Sequence, residues 1–403
     1  MVPIIRSFIS AFEVAQAPKC AFKHLLLQSN SLGEDAMEDK KHKLRHIFVI
    51  VISVIIFGGF FIMNFLTSPP EIIKSERRVP TKLPIISART IISGEFTENF
   101  ERYAADQFPF REHLRTIHAA LIFQLYMQSD HHGLYMDANG IGLFQDINQD
   151  SYRQLAAKIK NIAAGLNTAN IYYAFIPDKS IYSPKNLPGY DARRAESLLK
   201  EVLPAEYRFI NLTASLNADS FYKTDLHWNQ TQILAVLDVL GDAMGFAPNL
   251  SQYTEVYAGE FSGVYAGQLA LPTQKDNMRY LINPSLSALY LNMATMEMEA
   301  GPLYDLQKFS GLDPYDIFLS GIQPLVVLTN DKIDADRILY LFRDSFSSSL
   351  APLLADAYAK IYLIDLRYFD SRTLNRVVDF QPDADVLFLY SSLILNNAEM
   401  LLY

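Results

Sequence analysis

The chain has 403 residues, half of them apolar, and carries 35 Lys and Arg against 44 Asp and Glu, a net charge of −9. That length allows two or three domains, or one large α/β domain with extensions. The acidic balance, which persists once the basic N-terminal stretch is set aside, argues against nucleic acid or an anionic lipid surface as the main partner. The one cysteine, Cys20, sits in "AQAPKC", without the run of apolar and small residues that marks a lipidation site. The remainder of the chain therefore has neither a disulfide framework nor a thiol nucleophile.

Residues 1–36 hold apolar clusters without periodicity and read as an unstructured tail or an over-extended start. Met37, followed by "EDKKHKLRH", would begin a membrane-anchored exported protein in the ordinary way. Ile47–Leu66 runs 20 residues without a charge, about the length that crosses a ~30 Å hydrocarbon core. The sequence beyond it offers no small-x-small cleavage site, so the span reads as a retained anchor. Lys40, Lys41, Lys43 and Arg45 precede it, and the first basic residue after it is Lys74. The positive-inside bias then places 1–46 in the cytoplasm and everything past the anchor outside.

Residues 67–92, punctuated by Pro and charge, read as a stalk, and 93–403 as the extracytoplasmic domain. A helix is predicted from Ser93, with Phe96, Phe100 and Tyr103 on one stripe, broken by Pro109. A second amphipathic helix follows, with Leu114, Ile117, Leu121 and Leu125 on one face. Gly133–Met136 and Ile141–Phe144 read as a hairpin turning at Asp137–Gly140. Asp130-His131-His132 invites a metal reading, but no recognised spacing supplies further ligands, and a polar loop explains it. His113 and His118, five apart, do not share a helix face.

From Ser151 the chain alternates. Helix 151–165, strand 171–177, helix 191–202 and strand 207–212 are followed by a loop, "YKTDLHW", and helix 229–243. After a less regular insert at 250–320 come strands 323–329 and 337–342, helix 346–358, strand 360–365, helix 371–378 and strand 384–390. Short apolar strands alternating with helices predict an α/β domain, a mainly parallel sheet with helices on both faces.

Reactive groups in such a sheet lie at the carboxyl ends of the strands. One end stands out, "RILYLFRDSFSSSLAPLL": Ser345 falls on the bend into the next helix, whose first N–H groups are free to hold an oxyanion. Asp344 or Ser345 would equally serve as an ordinary helix N-cap. A nucleophilic serine needs a base, and the base a group that fixes its tautomer. Of His113, His118, His131, His132 and His227, only His227 lies in a strand-to-helix loop of the parallel region with a carboxylate beside it. Asp225, two residues earlier on an extended segment, faces the same side; Trp228 would pack behind. The competing reading is a loop His next to a capping Asp.

"YKTDLHWN" together with "LFRDSFSSSLAPLLADAYAKIYLIDLRYF" resembles the DHHW family and the related alginate O-acetyltransferase proteins, which carry an SGNH-hydrolase-like domain. "SGEFTENFERYAADQFPFR", "AFIPDKSIY", "EFSGVYAGQL" and "LYDLQKFSGLDPYDIFLSG" extend the resemblance over roughly 93–403. It implies an SGNH-like fold in which Asp225 orients His227, His227 is the base and Ser345 the nucleophile. The activity implied is O-acyl transfer, acetyl by preference, to a cell-surface or exported polysaccharide. The donor would be a multi-spanning membrane acyltransferase, and neither metal nor cofactor is implied. A carbohydrate O-acetylesterase with the same residues, or a non-catalytic glycan-binding scaffold, are the alternatives. Two departures stand out: Leu226 replaces the second residue of the naming motif, and Ser320-Gly321-Ile322-Gln323 stands where a Gly-Gly-Asn-like turn would supply an oxyanion donor. Arg367 and Tyr390, at strand ends, are candidate substrate or oxyanion contacts, or packing and surface pairs.

Overall fold

The chain is seen in a computed structural model that describes residues 21–66, 70–166, 168, 170–184, 190–333 and 337–402, with the side chains of 21–40 and Phe65 left aside. The expected tail up to residue 20, Cys20 included, lies outside them. Helix α1 (Ala21–Leu66) is continuous. It begins well before the expected span, because the Ala-, Leu-, Lys- and Glu-rich stretch after Pro18 contains no helix breaker other than Gly33. Its part Lys41–Asn64 is long and apolar enough to cross a membrane.

The second unit comprises Pro69–Asp106 and Phe110–Tyr403. It opens with helices α2 (Ala88–Ile92), α3 (Glu95–Asp106) and α4 (Arg111–Ala120), then hairpin β1 (Leu134–Asp137) and β2 (Gly140–Leu143). The alternating region supplies α5 (Gln149–Ala163), β3 (Ile171–Ile176), α6 (Ala192–Val202), β4 (Arg208–Ile210) and α7 (Leu234–Met244). The insert proves ordered: β5 (Thr254–Phe261), α8 (Val264–Leu269), β6 (Asp276–Ile282), β7 (Leu286–Asn292) and β8 (Glu297–Gly301). The C-terminal part holds β9 (Leu325–Asn330), β10 (Ile338–Arg343), α9 (Ser347–Leu354), β11 (Lys360–Ile364), β12 (Asp385–Ser391) and α10 (Ser392–Asn396). The expected helix at 371–378 is a 3-10 segment, Ser371–Arg376.

The central sheet has eight strands in the order β4-β3-β12-β10-β11-β9-β7-β8. Its first five strands run parallel, and β9, β7 and β8 extend this mainly parallel core by antiparallel pairings, which makes the whole sheet mixed. The cause is the connection from Asn330 to Ile338, too short for the helical crossover that a parallel return needs. Side chains alternate between two cores. Leu339, Leu341, Leu387 and Leu389 face α7 and α9; Tyr340, Phe342, Val386 and Phe388 face α5, α6 and α10. Strands covered on both faces read as unbroken apolar runs, which is why they were legible.

Within the stretch 67–92, expected as a stalk, residues 73–78 are folded against the domain. Ile73 and Arg78 close a small turn (Ile73 N–H to the Arg78 carbonyl, 2.9 Å), and Ile73 is buried. This turn packs onto the domain because its charges find partners there: Arg78 forks onto Asp106, and Glu76 onto Arg111.

Candidate active site

The loop 221–228 hangs from the carboxyl side of β4 and doubles back on itself. Phe221 bridges Trp228, and the Tyr222 N–H reaches the His227 carbonyl at 3.1 Å. Asp276 accepts the N–H groups of Lys223 and Thr224 at 2.8 and 2.7 Å, and the Thr224 hydroxyl as well. Lys179, just past β3, donates its Nζ to the carbonyls of Tyr222 and Asp225 at 2.9 and 2.8 Å. Burial pushes its pKa down to about 8, against the pull of the surrounding Asp carboxylates. Gly263 lets α8 approach: a Cβ there would lie 2.3 Å from the Thr224 carbonyl oxygen and 2.4 Å from the Asp225 Cβ.

Held this way, Asp225 and His227 point together. His227 Nδ1 is 2.7 Å from Asp225 Oδ1, and His227 Nε2 is 2.9 Å from Ser345 Oγ. Asp225 is fully buried, His227 nearly so, and Ser345 half-buried. Burial alone would raise the Asp225 carboxyl; the His227 hydrogen bond and charge, the Arg77 guanidinium and the Val264 N–H outweigh it and hold the group well below the usual carboxylate range. An ionised carboxylate only accepts, so Nδ1 carries the proton and Nε2 is left to accept from the Ser345 hydroxyl. The Tyr315 ring covers one face of the imidazole, parallel within 5° at 3.8 Å between centroids, a contact worth about 0.5–1.5 kcal/mol beyond area burial.

Ser345 is the middle residue of the three-residue bend between β10 and α9. Asp344, not Ser345, ties that bend: its Oδ1 accepts the Phe346 N–H at 3.1 Å and its Oδ2 the Ser391 N–H at 2.7 Å. Trp228 locks the other side, its indole N–H shared between the Phe346 carbonyl and the Ser349 hydroxyl at 2.9 and 2.8 Å. The Ser345 N–H has no acceptor among the described residues, which leaves it available to an oxyanion. The turn expected to lack an Asn donor passes through Leu319, Ser320 and Gly321, all at positive φ, and the Gln323 carbonyl receives an Arg343 N–H at 3.3 Å.

Arg367 pairs elsewhere, and Tyr390 is buried in the core on the α5, α6 and α10 side of the sheet. The Arg367 fork closes on Asp365 at 2.9 and 2.7 Å, and no hydrogen bond joins it to Ser345 among the described residues. Among the described residues the buried Tyr390 hydroxyl has no partner, and neither do Arg343 Nε and Ser347 Oγ. His118, His131 and His132 lie in a row, edge-to-face and then tilted, with centroids 5.1 and 4.1 Å apart, along a hollow of about 550 Å³. Burial, and then the neighbouring cations and imidazoles, lower the pKa of His131. Among the described residues no group of three or more His, Cys, Asp or Glu is arranged to hold a metal ion. His113 lies apart from this row, its ring against Phe110. Arg77, Lys179 and Tyr315 had no role in the sequence reading, although the last two fall inside the motifs "AFIPDKSIY" and "LYDLQKFSGLDPYDIFLSG".

No protein-family profile matches the chain, and no curated protein matches it in sequence. Its fold has solved counterparts. A DHHW family protein from Eubacterium siraeum aligns with a TM-score of 0.54 and 17% identity, over 68% of this chain and 97% of its own. PatB1 from Bacillus cereus, with a sulfonyl adduct, aligns at 0.51 and 16%, over 65% and 95%. Another PatB1 structure aligns at 0.50 and 16%, over 65% and 97%. At this identity the likeness is one of fold, a mixed α/β domain matched over 95–97% of each counterpart.

Proposed function

We propose that this chain is a membrane-anchored, extracytoplasmic O-acyltransferase of the DHHW and SGNH-like kind, moving an acetyl group onto a cell-surface or exported polysaccharide. The observation that carries the reading is the unbroken hydrogen-bonded line Asp225–His227–Ser345 at the carboxyl edge of the parallel strands. A sulfonyl adduct on a protein of the same fold supports it, since sulfonylation requires an activated nucleophile. The acceptor class and the acyl donor, a multi-spanning membrane acyltransferase, come from the resemblance of the motifs around these residues.

In this reading Ser345 Oγ attacks the acyl carbonyl and its proton passes to His227 Nε2. Asp225 steadies the imidazolium through Nδ1–H, and the Ser345 N–H faces the developing oxyanion. The donor's leaving group takes the proton from His227, which leaves the acyl group on Ser345. A sugar hydroxyl then attacks the ester, gives its proton to Nε2, and Ser345 departs with that proton restored. With water as acceptor the same steps give an esterase.

The test is acyl release from an aryl acetate by the full chain in detergent. Ser345→Ala and His227→Ala should each lower the rate by about 10³-fold or more, and added glycan should divert acetyl from water to sugar. An unchanged rate in Ser345→Ala refutes the nucleophile. Acetate as the sole product in the presence of acceptor replaces transfer with hydrolysis.

A further inference from the structure

Asp225 has a second neighbour that this mechanism does not use. Arg77 follows Leu66, the last residue of α1, by eleven positions, yet its guanidinium reaches the carboxylate oxygen that His227 leaves free. Arg77 Nη2 is 3.1 Å from Asp225 Oδ2, and Nη1 is 2.6 Å from Asp313 Oδ2. The carboxylate is therefore held at both oxygens. Oδ1 takes the His227 ring and backbone N–H groups, and Oδ2 the Val264 N–H at 2.9 Å and Arg77.

The Arg77 side chain is 11% exposed, and its backbone sits at φ 52°, a left-handed conformation that a non-glycine residue keeps only where its surroundings impose it. Those surroundings are specific. Arg115 donates to the Ser75 hydroxyl and to the Gly267 carbonyl at 3.1 and 3.0 Å. The Ser75 backbone lies so close to Gly267 that a Cβ there would meet the Ser75 carbonyl oxygen at 1.9 Å. The tightest backbone approach in this region thus serves to seat the turn that carries Arg77.

We infer that residues 73–78 are a strap that completes the active site, with Arg77 as a positioning residue: it fixes Asp225 Oδ2 so that Oδ1 stays aimed at His227 Nδ1. This rests on the triad reading. Without Arg77, Oδ2 keeps only the Val264 N–H, so the carboxylate turns more freely about its Cβ–Cγ bond and lets the imidazole drift, and small misalignments at such a site cost large factors in rate. The strap belongs to the segment that directly follows the apolar helix, so competence of the site depends on that segment being docked. A chain cut or pulled free there keeps its triad residues and loses their alignment.

Charge supplies a readout that packing alone does not. Around the Asp225–His227 pair stand Arg77, Lys179, Asp276, Asp313 and Asp316. Arg77 opposes protonation of the pair, so its loss lets the pair take up a proton at higher pH.

The experiment uses the full chain in detergent with an aryl acetate. Arg77→Gln should lower kcat about 10- to 100-fold, change KM less than about twofold, and move the acidic limb of the pH–rate profile upward. Arg77→Lys should recover part of both kcat and the limb. Gly267→Leu, which changes neither Arg77 nor a triad residue but occupies the seat of Ser75 and so displaces the turn, should lower kcat in the same way. Ser345→Ala run in parallel separates the two readings: if it abolishes release, the nucleophile stands whatever Arg77 does. A parental kcat and acidic limb in Arg77→Gln overturns the strap. So does a change in KM alone, or a loss of kcat no larger than the unfolded fraction measured by thermal unfolding.

Discussion

Asp316 shows what single residues at this site are asked to tolerate. Its carboxylate has no hydrogen-bond partner among the described residues and packs against Gly321, whose missing Cβ would lie 2.5 Å from the Asp316 Cγ. Burial, and then the neighbouring Asp313, push its pKa up to about 6, against Lys308, Arg77 and His227. A carboxyl raised on folding contributes stability that is complete below the unfolded pKa and is lost as pH rises through about 6. Asp316→Asn should therefore be more stable than the parent at pH ~7.5, by on the order of 1 kcal/mol after allowing for partial exposure, and gain little at pH ~4. Thermal unfolding at the two pH values checks this; an equal gain at both means that charge burial is not the cause. Asp225, His227 and Ser345 were legible at this scale because acyl-transfer chemistry demands those side chains at strand ends. Arg77 was not, since it acts across 148 positions of sequence and an arginine in a charged, Pro-rich stretch has every appearance of a solvated one.

At the scale of elements, the strands and most helices could be read because burial on both sheet faces leaves continuous apolar runs, while strand direction could not. Nothing in Leu325–Asn330 distinguishes a parallel from an antiparallel strand, both being buried and β-branched or Leu-rich. Only the short link to Ile338 carried that information. The insert was opaque for a related reason. Its strands β5 to β8 are half-exposed and irregular in pattern, and they matter by what they press against: β6 brings Asp276 to the 223–224 backbone, and α8 brings Val264 to Asp225. The contact of α8 with the loop is backbone on backbone, so it has little room to give. Gly263→Ala should push the Thr224–Asp225 peptide aside, lowering acyl-release kcat by about 10²-fold and the thermal midpoint by several degrees, the range for overpacking of ~1–3 kcal/mol. A variant with parental kcat would show that the loop's position is set elsewhere, by Lys179 and Asp276.

For the whole molecule, the proposed function requires an anchored chain whose site faces outward, because the proposed acceptor is outside the cell. Lys41–Asn64 spans 24 residues of α1, roughly 36 Å of helix at 1.5 Å per residue, longer than a hydrocarbon core of ~30 Å. Four basic residues, Lys40, Lys41, Lys43 and Arg45, crowd its N-terminal end ahead of the uncharged run Ile47–Leu66, and the positive-inside bias favours keeping such residues in the cytoplasm. The chain's lone cysteine makes the orientation measurable. In a Cys20→Ser background, His42→Cys leaves the basic cluster intact and sits on an exposed position ahead of the uncharged run that begins at Ile47. Lys275→Cys occupies a side chain 59% exposed on the domain. A membrane-impermeant maleimide should label the second variant in intact spheroplasts, and the first only after detergent. The opposite pattern would put Ser345 in the cytoplasm, where acetyl-CoA is directly at hand. The need for a membrane-spanning donor would then disappear along with the exported acceptor, although the line from Asp225 to Ser345 would be unchanged.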